Sequence, residues 1–220
     1  MLVTGGCDTE GRLPWERFYD AIRMLKTHTS LKITVHSGFV TPEQARGLKD
    51  CGVDQALVDI MGDDATARSV YHLARGTRAV REALDSLVGC GLEVVPHVLF
   101  GLHYGEPRGE SEALRIILDY PVRKYVIVVL MPARGTPMES VRPPARDAAA
   151  EFIARARIAM PDRRCGLGCA RPGGHYKRDL DRLAVWAGVN SIAFPSDAAT
   201  EEALRRGLNV SWKETCCSLD

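Results

Sequence analysis

The residue types that do chemistry gather in a few short stretches of this chain. Gly5 and Gly6 stand together in "MLVTGGCDTEG", with Cys7 and Asp8 behind them. Paired glycines let backbone groups come close to a ligand, and they equally make a tight turn. Asp59 interrupts the apolar run "ALVDIMGDD". A carboxylate there either accepts from the hydroxyls of a ligand or is held in a salt bridge, because burying it alone is costly. Asp63 and Asp64 precede a helical stretch, where N-capping is the simpler account. "VPHVLFGLHYGE" carries His97, Gly101, His103, Gly105 and Glu106. Its glycines suit close approach to a ligand. A zinc or metal-free enzyme using His97, His103 and Glu106 is one option, although their spacing is not a recognised ligand pattern. "VVLMPARGTPM" places Pro132, Gly135 and Pro137 in one rigid loop behind Met131, where an ordinary turn needs only one such residue. Cys165 and Cys169, together with Cys216 and Cys217, have the ligand number for zinc or an iron–sulfur cluster. Neither pair is C-x₂-C, and adjacent cysteines are awkward joint ligands.

Positioning these stretches requires a repeating scaffold, and the chain shows one. Four times an amphipathic stretch ends at a glycine and an apolar run follows: at Gly52, Gly91, Gly188 and Gly207. Each glycine sits where a helix takes a left-handed cap residue. Apolar runs at 2–4, 32–38, 55–62, 92–101, 124–132, 164–168 and 191–195 read as strands. Several are apolar throughout, as in a sheet covered on both faces. Trp15, Phe18, Ile22 and Leu25 recur at helical spacing after Pro14, and Thr41 with Pro42 and Gln44 opens a second helix. Val80, Ala83, Leu84, Leu87 and Val88 mark a third, and further helices are expected near 108–118, 146–159, 177–187 and 198–206. The reading is one α/β domain over 1–220, a partial or complete TIM-type (β/α) barrel of mainly parallel strands. Its site belongs at the C-terminal ends of the strands, where all the stretches above except the Cys216–Cys217 pair fall.

Composition narrows the partners. The chain has 220 residues, of which 45% are hydrophobic and 26% charged, with a formal net charge of +1. Near-neutral charge gives no case for nucleic acid or an acidic membrane surface. No apolar run is long enough to span a membrane, and no leader pattern is seen. Seven cysteines without a leader point to thiols or metal ligands in a cytoplasmic setting rather than disulfides.

Taken in order, the strand ends resemble the radical S-adenosylmethionine superfamily, in the branch of biotin synthase and lipoyl synthase-like proteins. "LVTGG" resembles the Gly-Gly motif of that family, which implies that Gly5 and Gly6 hold the methionyl amino end of S-adenosylmethionine. "ALVDIMGDD" is similar to the segment whose polar residues face the ribose, implying that role for Asp59 and Asp63. "HVLFGLHYGE" implies that Gly101 and Glu106 flank the adenosyl group, and "LMPARGTPM" that Met131 and Pro132 border the adenine. "ARIAMPDRRCGLGCARPGG", followed by "AGVNSIAFP", places Arg171 on an arginine of the biotin synthase pattern; with Cys169 and Cys165 it would face substrate or an auxiliary cluster.

The resemblance implies S-adenosylmethionine and a [4Fe–4S] cluster as cofactors, an electron-donor protein, a small-molecule substrate, and hydrogen abstraction by a 5′-deoxyadenosyl radical. Sulfur insertion or cofactor biosynthesis of the lipoyl or biotin type is the corresponding reaction. Two departures stand out. The cluster-binding C-x₃-C-x₂-C pattern does not occur: Cys165 and Cys169 have its first spacing, but Pro172 stands where a third cysteine is needed. Cys7 also occupies the usual acidic third position of the Gly-Gly motif. The expectation is that the first β/α unit, with the cluster cysteines, precedes Met1 or sits on a partner chain. In that case the strand at 2–4 is a sheet edge that favours self-association. The competing reading is a catalytically silent barrel subunit that binds a small molecule and pairs with a cluster-bearing partner.

Overall fold

The computed structural model describes Met1–Leu219, and within it strand and helix alternate along the chain. The strands are β1 (Leu2–Val3), β2 (Thr34–His36), β3 (Gln55–Asp59), β4 (Glu93–Phe100), β5 (Lys124–Val129), β6 (Arg164–Leu167) and β7 (Ser191–Ile192). The helices are α1 (Tyr19–His28), α2 (Pro42–Asp50), α3 (Asp64–Val70), α4 (Thr77–Gly89), α5 (Glu110–Leu118), α6 (Arg146–Ala159), α7 (Gly174–Trp186) and α8 (Asp197–Arg205). Strand order is sequential from β1 to β7. That order, with parallel pairing and a helical crossover between strands, defines a partial (β/α) barrel.

The turns follow from local chemistry. Gly52, Gly91, Gly188 and Gly207 all adopt the left-handed conformation, with φ of 95°, 75°, 81° and 69°. Each closes a helix and releases the chain into the next segment. Thr41 caps α2 in a reciprocal capping box with Gln44, and Pro42 occupies the first turn, where no backbone N–H is missed. The stretch after Pro14 differs from expectation. Trp15–Arg17 forms a short 3-10 turn and α1 starts only at Tyr19. Trp15 is drawn inward, 1% exposed, with its indole N–H donating to the Ser37 carbonyl at 2.8 Å.

The chain divides into two compact units. The first comprises Met1–His97 with Ser111–Val122, and the second Val98–Glu110 with the chain from Arg123 onward. In the first, β1 pairs with β2 through Leu2↔Thr34, β2 with β3 through His36↔Leu57, and β3 with β4 through Asp59↔His97. Its core is aliphatic: Ile33, Val35, Leu48, Leu57, Val80, Leu84 and Leu87 are all fully buried. In the second, β5 pairs with β6 through Val126↔Gly166, and β6 with β7 through Leu167↔Ile192. Phe100 stacks on Phe152 of α6 with centroids 5.1 Å apart. β7 is shorter than the apolar run "SIAFP" suggests. The Ala193 and Phe194 carbonyls turn to accept from Arg171 at 2.8 and 3.1 Å, and Phe194 takes a φ of 47° that no strand can hold.

Candidate functional site

In the first unit the strand ends collect polar groups on one face. Asp59 pairs in register with His97, and His36 with Leu57, two residues before Asp59. With side chains alternating along each strand, His36, Asp59 and His97 share a face. The His36 and His97 rings lie 5.6 Å apart, centroid to centroid. His97 is 5% exposed, and its Nδ1 is 3.1 Å from the Val95 carbonyl. Asp59 is half-buried and accepts from the Tyr71 hydroxyl at 2.6 Å. Burial, reinforced by the Asp59 charge beside it, pushes the Tyr71 phenol well above its ordinary value. Tyr71 therefore stays a donor and fixes one carboxylate oxygen while the other is left for a further partner.

The loop after β1 is also ordered. Asp8 Oδ1 accepts from the backbone N–H groups of Glu10 and Arg12 at 2.8 and 2.9 Å. The Gly11 N–H closes the turn onto the Asp8 carbonyl at 3.0 Å. Gly5 and Gly6 precede it and are exposed. Neither has a positive φ. A Cβ on Gly6 would meet nothing within 4 Å, and one on Gly5 only Leu13 at 3.6 Å. Neither packing nor backbone strain requires glycine here. Asp63 is different: its Oδ2 caps α3, accepting from the Thr66 N–H at 2.7 Å and the Thr66 hydroxyl at 2.8 Å. Asp64 likewise holds the start of α4 through the Thr77 N–H and hydroxyl, both at 2.8 Å.

In the second unit the strand ends are braced internally. Gly101 has a φ of 75°, and a Cβ on it would stand 2.6 Å from Pro144. Its N–H donates to Glu110 Oε1 at 2.8 Å. Gly105 packs against the Arg142 carbonyl. Glu106 is exposed, bridged through its backbone to His103. Met131 is exposed and Pro132 half-buried at the mouth of the 131–138 loop, which closes on itself through Gly135 N–H to Glu139 and Thr136 hydroxyl to the Ala133 carbonyl. Arg171 is not open to a ligand. Its side chain is 0% exposed, as is that of Asp181, which it meets at 2.6 Å. Its remaining N–H groups donate to the carbonyls of Gly168, Ala193 and Phe194.

Cys169 lies beside the Cys216–Cys217 pair. Cys165 is buried beside Tyr125, and burial raises its thiol to about 11. Cys169 is exposed, and Cys216 and Cys217 have their sulfurs 3.9 Å apart near the chain end. Among the described residues no three His, Cys, Asp or Glu side chains group as metal ligands. Cys165, Cys169, Cys216 and Cys217 therefore do not form a ready ligand set, and nor do His97, His103 and Glu106. Reading the sequence alone misses Tyr71 and Glu110, which fix Asp59 and Gly101. Their only signal is a polar residue beside an apolar helix stretch. No helix is long and apolar enough to cross a membrane among the described residues.

Comparison with known proteins adds the lineage. No family model matches the chain. It is 29% identical over 185 residues to biotin synthase of Cenarchaeum symbiosum, covering 81% of this chain and 55% of that one. It is 30% identical over 190 residues to biotin synthase of Sorangium cellulosum, covering 82% and 51%. The chain thus spans about half the length of these curated relatives. Among solved structures, methylornithine synthase (PylB) superposes with a TM-score of 0.68 at 16% identity, covering 96% of this chain and 68% of that one. The FeFe-hydrogenase maturase HydG gives 0.68 at 17% identity, covering 87% and 44%. The biotin synthase relatives and the shared partial barrel support the resemblance to a radical S-adenosylmethionine, biotin synthase-like family.

Proposed function

We propose that this chain binds S-adenosylmethionine at its strand ends, as the cofactor-holding part of a radical S-adenosylmethionine enzyme acting on a small-molecule substrate. The observation that carries the reading is the Gly5-Gly6 pair, whose missing side chains neither packing nor φ explains. Backbone left open at a strand end is what close approach of a ligand's amino and carboxylate groups requires. Asp59 adds an oriented acceptor for ribose hydroxyls, held by the Tyr71 donor. When bound, S-adenosylmethionine would supply the adenosyl group. This chain's part is to seat it: Gly5 and Gly6 at the methionyl end, Asp59 at the ribose. Asp63 serves α3 as its cap and adds no second ribose contact in this reading. The thiols of Cys7, Cys51, Cys90, Cys165 and Cys169 suit a reducing, cytoplasmic setting.

A [4Fe–4S] cluster does not fit the residues present. The C-x₃-C-x₂-C pattern is absent from these 220 residues, and the described cysteines make no three-ligand group. That observation favours a second reading, in which the chain binds the cofactor but works with a cluster-bearing partner and its electron donor. Titration calorimetry of the purified chain with S-adenosylmethionine tests the first reading. Binding that Asp59→Asn and Gly6→Val both weaken, with unchanged thermal midpoints, is the expected result; no heat at millimolar cofactor would overturn it. Anaerobic reconstitution with iron and sulfide separates the two readings, since visible charge-transfer absorption from the chain alone would sink the partner reading.

A further inference from the structure

In the second unit the last residues of the chain lie against the sheet. Tyr125 of β5 and Cys165 of β6 both sit beside Arg157 of α6. Side chains alternate along a strand, so Lys124, Val126 and Gly166 face away from α6. On that face the Cys217 carbonyl stands 3.7 Å from where a Cβ on Gly166 would be, and Val126 lies 3.5 Å from the same point. The Lys124 ammonium donates to the Leu219 carbonyl at 3.4 Å. Ser218, between them, is 1% exposed. Residues 216–219 thus form a strap across β5 and β6.

The strap is buried, yet its polar contacts are weak. The Lys124 bond is longer than an ordinary N–H···O bond. The Leu219 N–H turns back on the Cys216 carbonyl, at 3.0 Å, and ties the strap only to itself. The Ser218 hydroxyl is buried with no hydrogen-bond partner. Weakly bonded segments open locally at small cost.

Sulfur meets sulfur at one end of the strap. Cys169, two residues beyond β6, turns its N–H toward the Cys217 sulfur. The Cys216 and Cys217 sulfurs are 3.9 Å apart. The hydrogen bond with Cys216, and then burial, push the Cys217 thiol well above its ordinary value. Cys217 therefore stays a thiol, whereas Cys169 is exposed to solutes. An accessible sulfur with a second thiol beside it is the arrangement of a reversible redox pair. Disulfides formed in a reducing compartment are usually transient and redox-sensing.

We infer that Cys169 and Cys217 are a redox-sensitive clasp, which a peroxide closes into a disulfide that locks the strap across β5 and β6. The Cys169 thiolate attacks the peroxide O–O bond. That bond breaks, the sulfur is oxidised to a sulfenic acid, and one oxygen leaves, reduced, as water. The Cys217 sulfur then displaces the sulfenic oxygen as a second water, and the S–S bond forms. Two thiols and one hydrogen peroxide become one disulfide and two waters. A dithiol reductant opens the clasp by exchange.

Hydrogen peroxide at a few equivalents, added to the purified full chain, tests this. After the remaining thiols are blocked with N-ethylmaleimide, peptide mass mapping should find Cys169 joined to Cys217 within one chain. Cys216→Ser should keep the cross-link, and Cys169→Ser and Cys217→Ser should each lose it. Amide exchange over residues 216–219 should slow at least about tenfold on oxidation, as a local opening is closed off, and recover with dithiothreitol. In Cys169→Ser, peroxide should leave that exchange unchanged. No disulfide within the chain, one that joins Cys216 instead, one formed only between chains, or unchanged exchange in the cross-linked chain would each overturn the inference. These readouts need no S-adenosylmethionine, so they stand apart from the cofactor reading.

Discussion

The strand ends of the two units carry similar residue types and use them in opposite ways. In the first unit the glycines at the end of β1 have open flanks, and Asp59 keeps one carboxylate oxygen beyond its Tyr71 partner. In the second, Gly101 is filled by Pro144, its N–H is taken by Glu110, and Arg171 is closed in by Asp181 and three carbonyls. The same sequence signal, a glycine or a charged residue behind an apolar run, thus marks open backbone in one unit and internal bracing in the other. What separates them is whether a neighbouring element uses the group.

The comparison breaks most visibly at Asp181. Removing one member of a buried ion pair leaves the other charge uncompensated, which costs about 3–5 kcal/mol. Asp181→Ala should lower stability by that order in urea unfolding, since it also strips the Ser196 N–H of its acceptor. Arg171→Met/Asp181→Leu should recover a large part of the loss, because it leaves no buried charge behind. If Asp181→Ala unfolds like the wild type, the second unit is not braced in this way.

Much of the scaffold is legible without the structure. The four glycine caps, the Thr41 capping box and the seven apolar runs rest on local rules, and local rules are written within a few residues. The bracing is not local. Asp181 lies in "YKRDLDRL" beside Asp179 and Lys177, and nothing in that helical pattern separates the one fully buried carboxylate from its exposed-looking neighbours. Glu110 reads as the first residue of a helix, yet its carboxylate reaches back nine residues to Gly101. Tyr71 is twelve residues from the Asp59 it fixes. Such partners are chosen by tertiary packing. That is why Asp59, Gly5 and Gly6 could be marked as candidates from sequence and Asp63 as a helix cap, while the commitment of Gly101 and Arg171 to bracing could not.

Paired glycine substitutions sharpen the contrast. Gly101→Ala forces an L side chain into a φ of 75° and against Pro144 at 2.6 Å, and should cost about 1–3 kcal/mol of stability. Gly6→Ala meets open space at an ordinary φ. It should leave stability within about 0.5 kcal/mol or raise it slightly, while weakening S-adenosylmethionine binding. Equal destabilisation at both positions, read by denaturant midpoints, would erase the distinction between the units. A smaller effect is expected at the entry to α2: Thr41→Ala removes the acceptor for the Gln44 N–H at 3.2 Å and should cost about 1 kcal/mol, with Thr41→Ser restoring most of it.

The finest test uses pH, because Asp54 in the first unit and Cys165 in the second shift in opposite directions. Burial raises the Asp54 carboxyl, but the Lys26 ammonium at 2.8 Å and the Ile33 N–H at 2.7 Å outweigh it and hold the group below its ordinary value. A depressed carboxyl contributes stability that is complete above its unfolded value, near 4, and is lost as pH falls through the folded one. Asp54→Asn should therefore flatten the acid limb of the stability profile and leave the alkaline limb alone. Cys165 in the second unit runs the other way. Burial lifts its thiol to about 11, partly offset by the Tyr125 hydroxyl and the Arg157 charge. Its contribution is complete below the unfolded value of about 8.5 and fades as pH rises toward 11. Cys165→Ala should flatten the alkaline limb between those values. Unfolding midpoints from pH 3 to 11 distinguish the two, and if Asp54→Asn changed the alkaline limb, or Cys165→Ala the acid one, the assignment of opposite tendencies would fail.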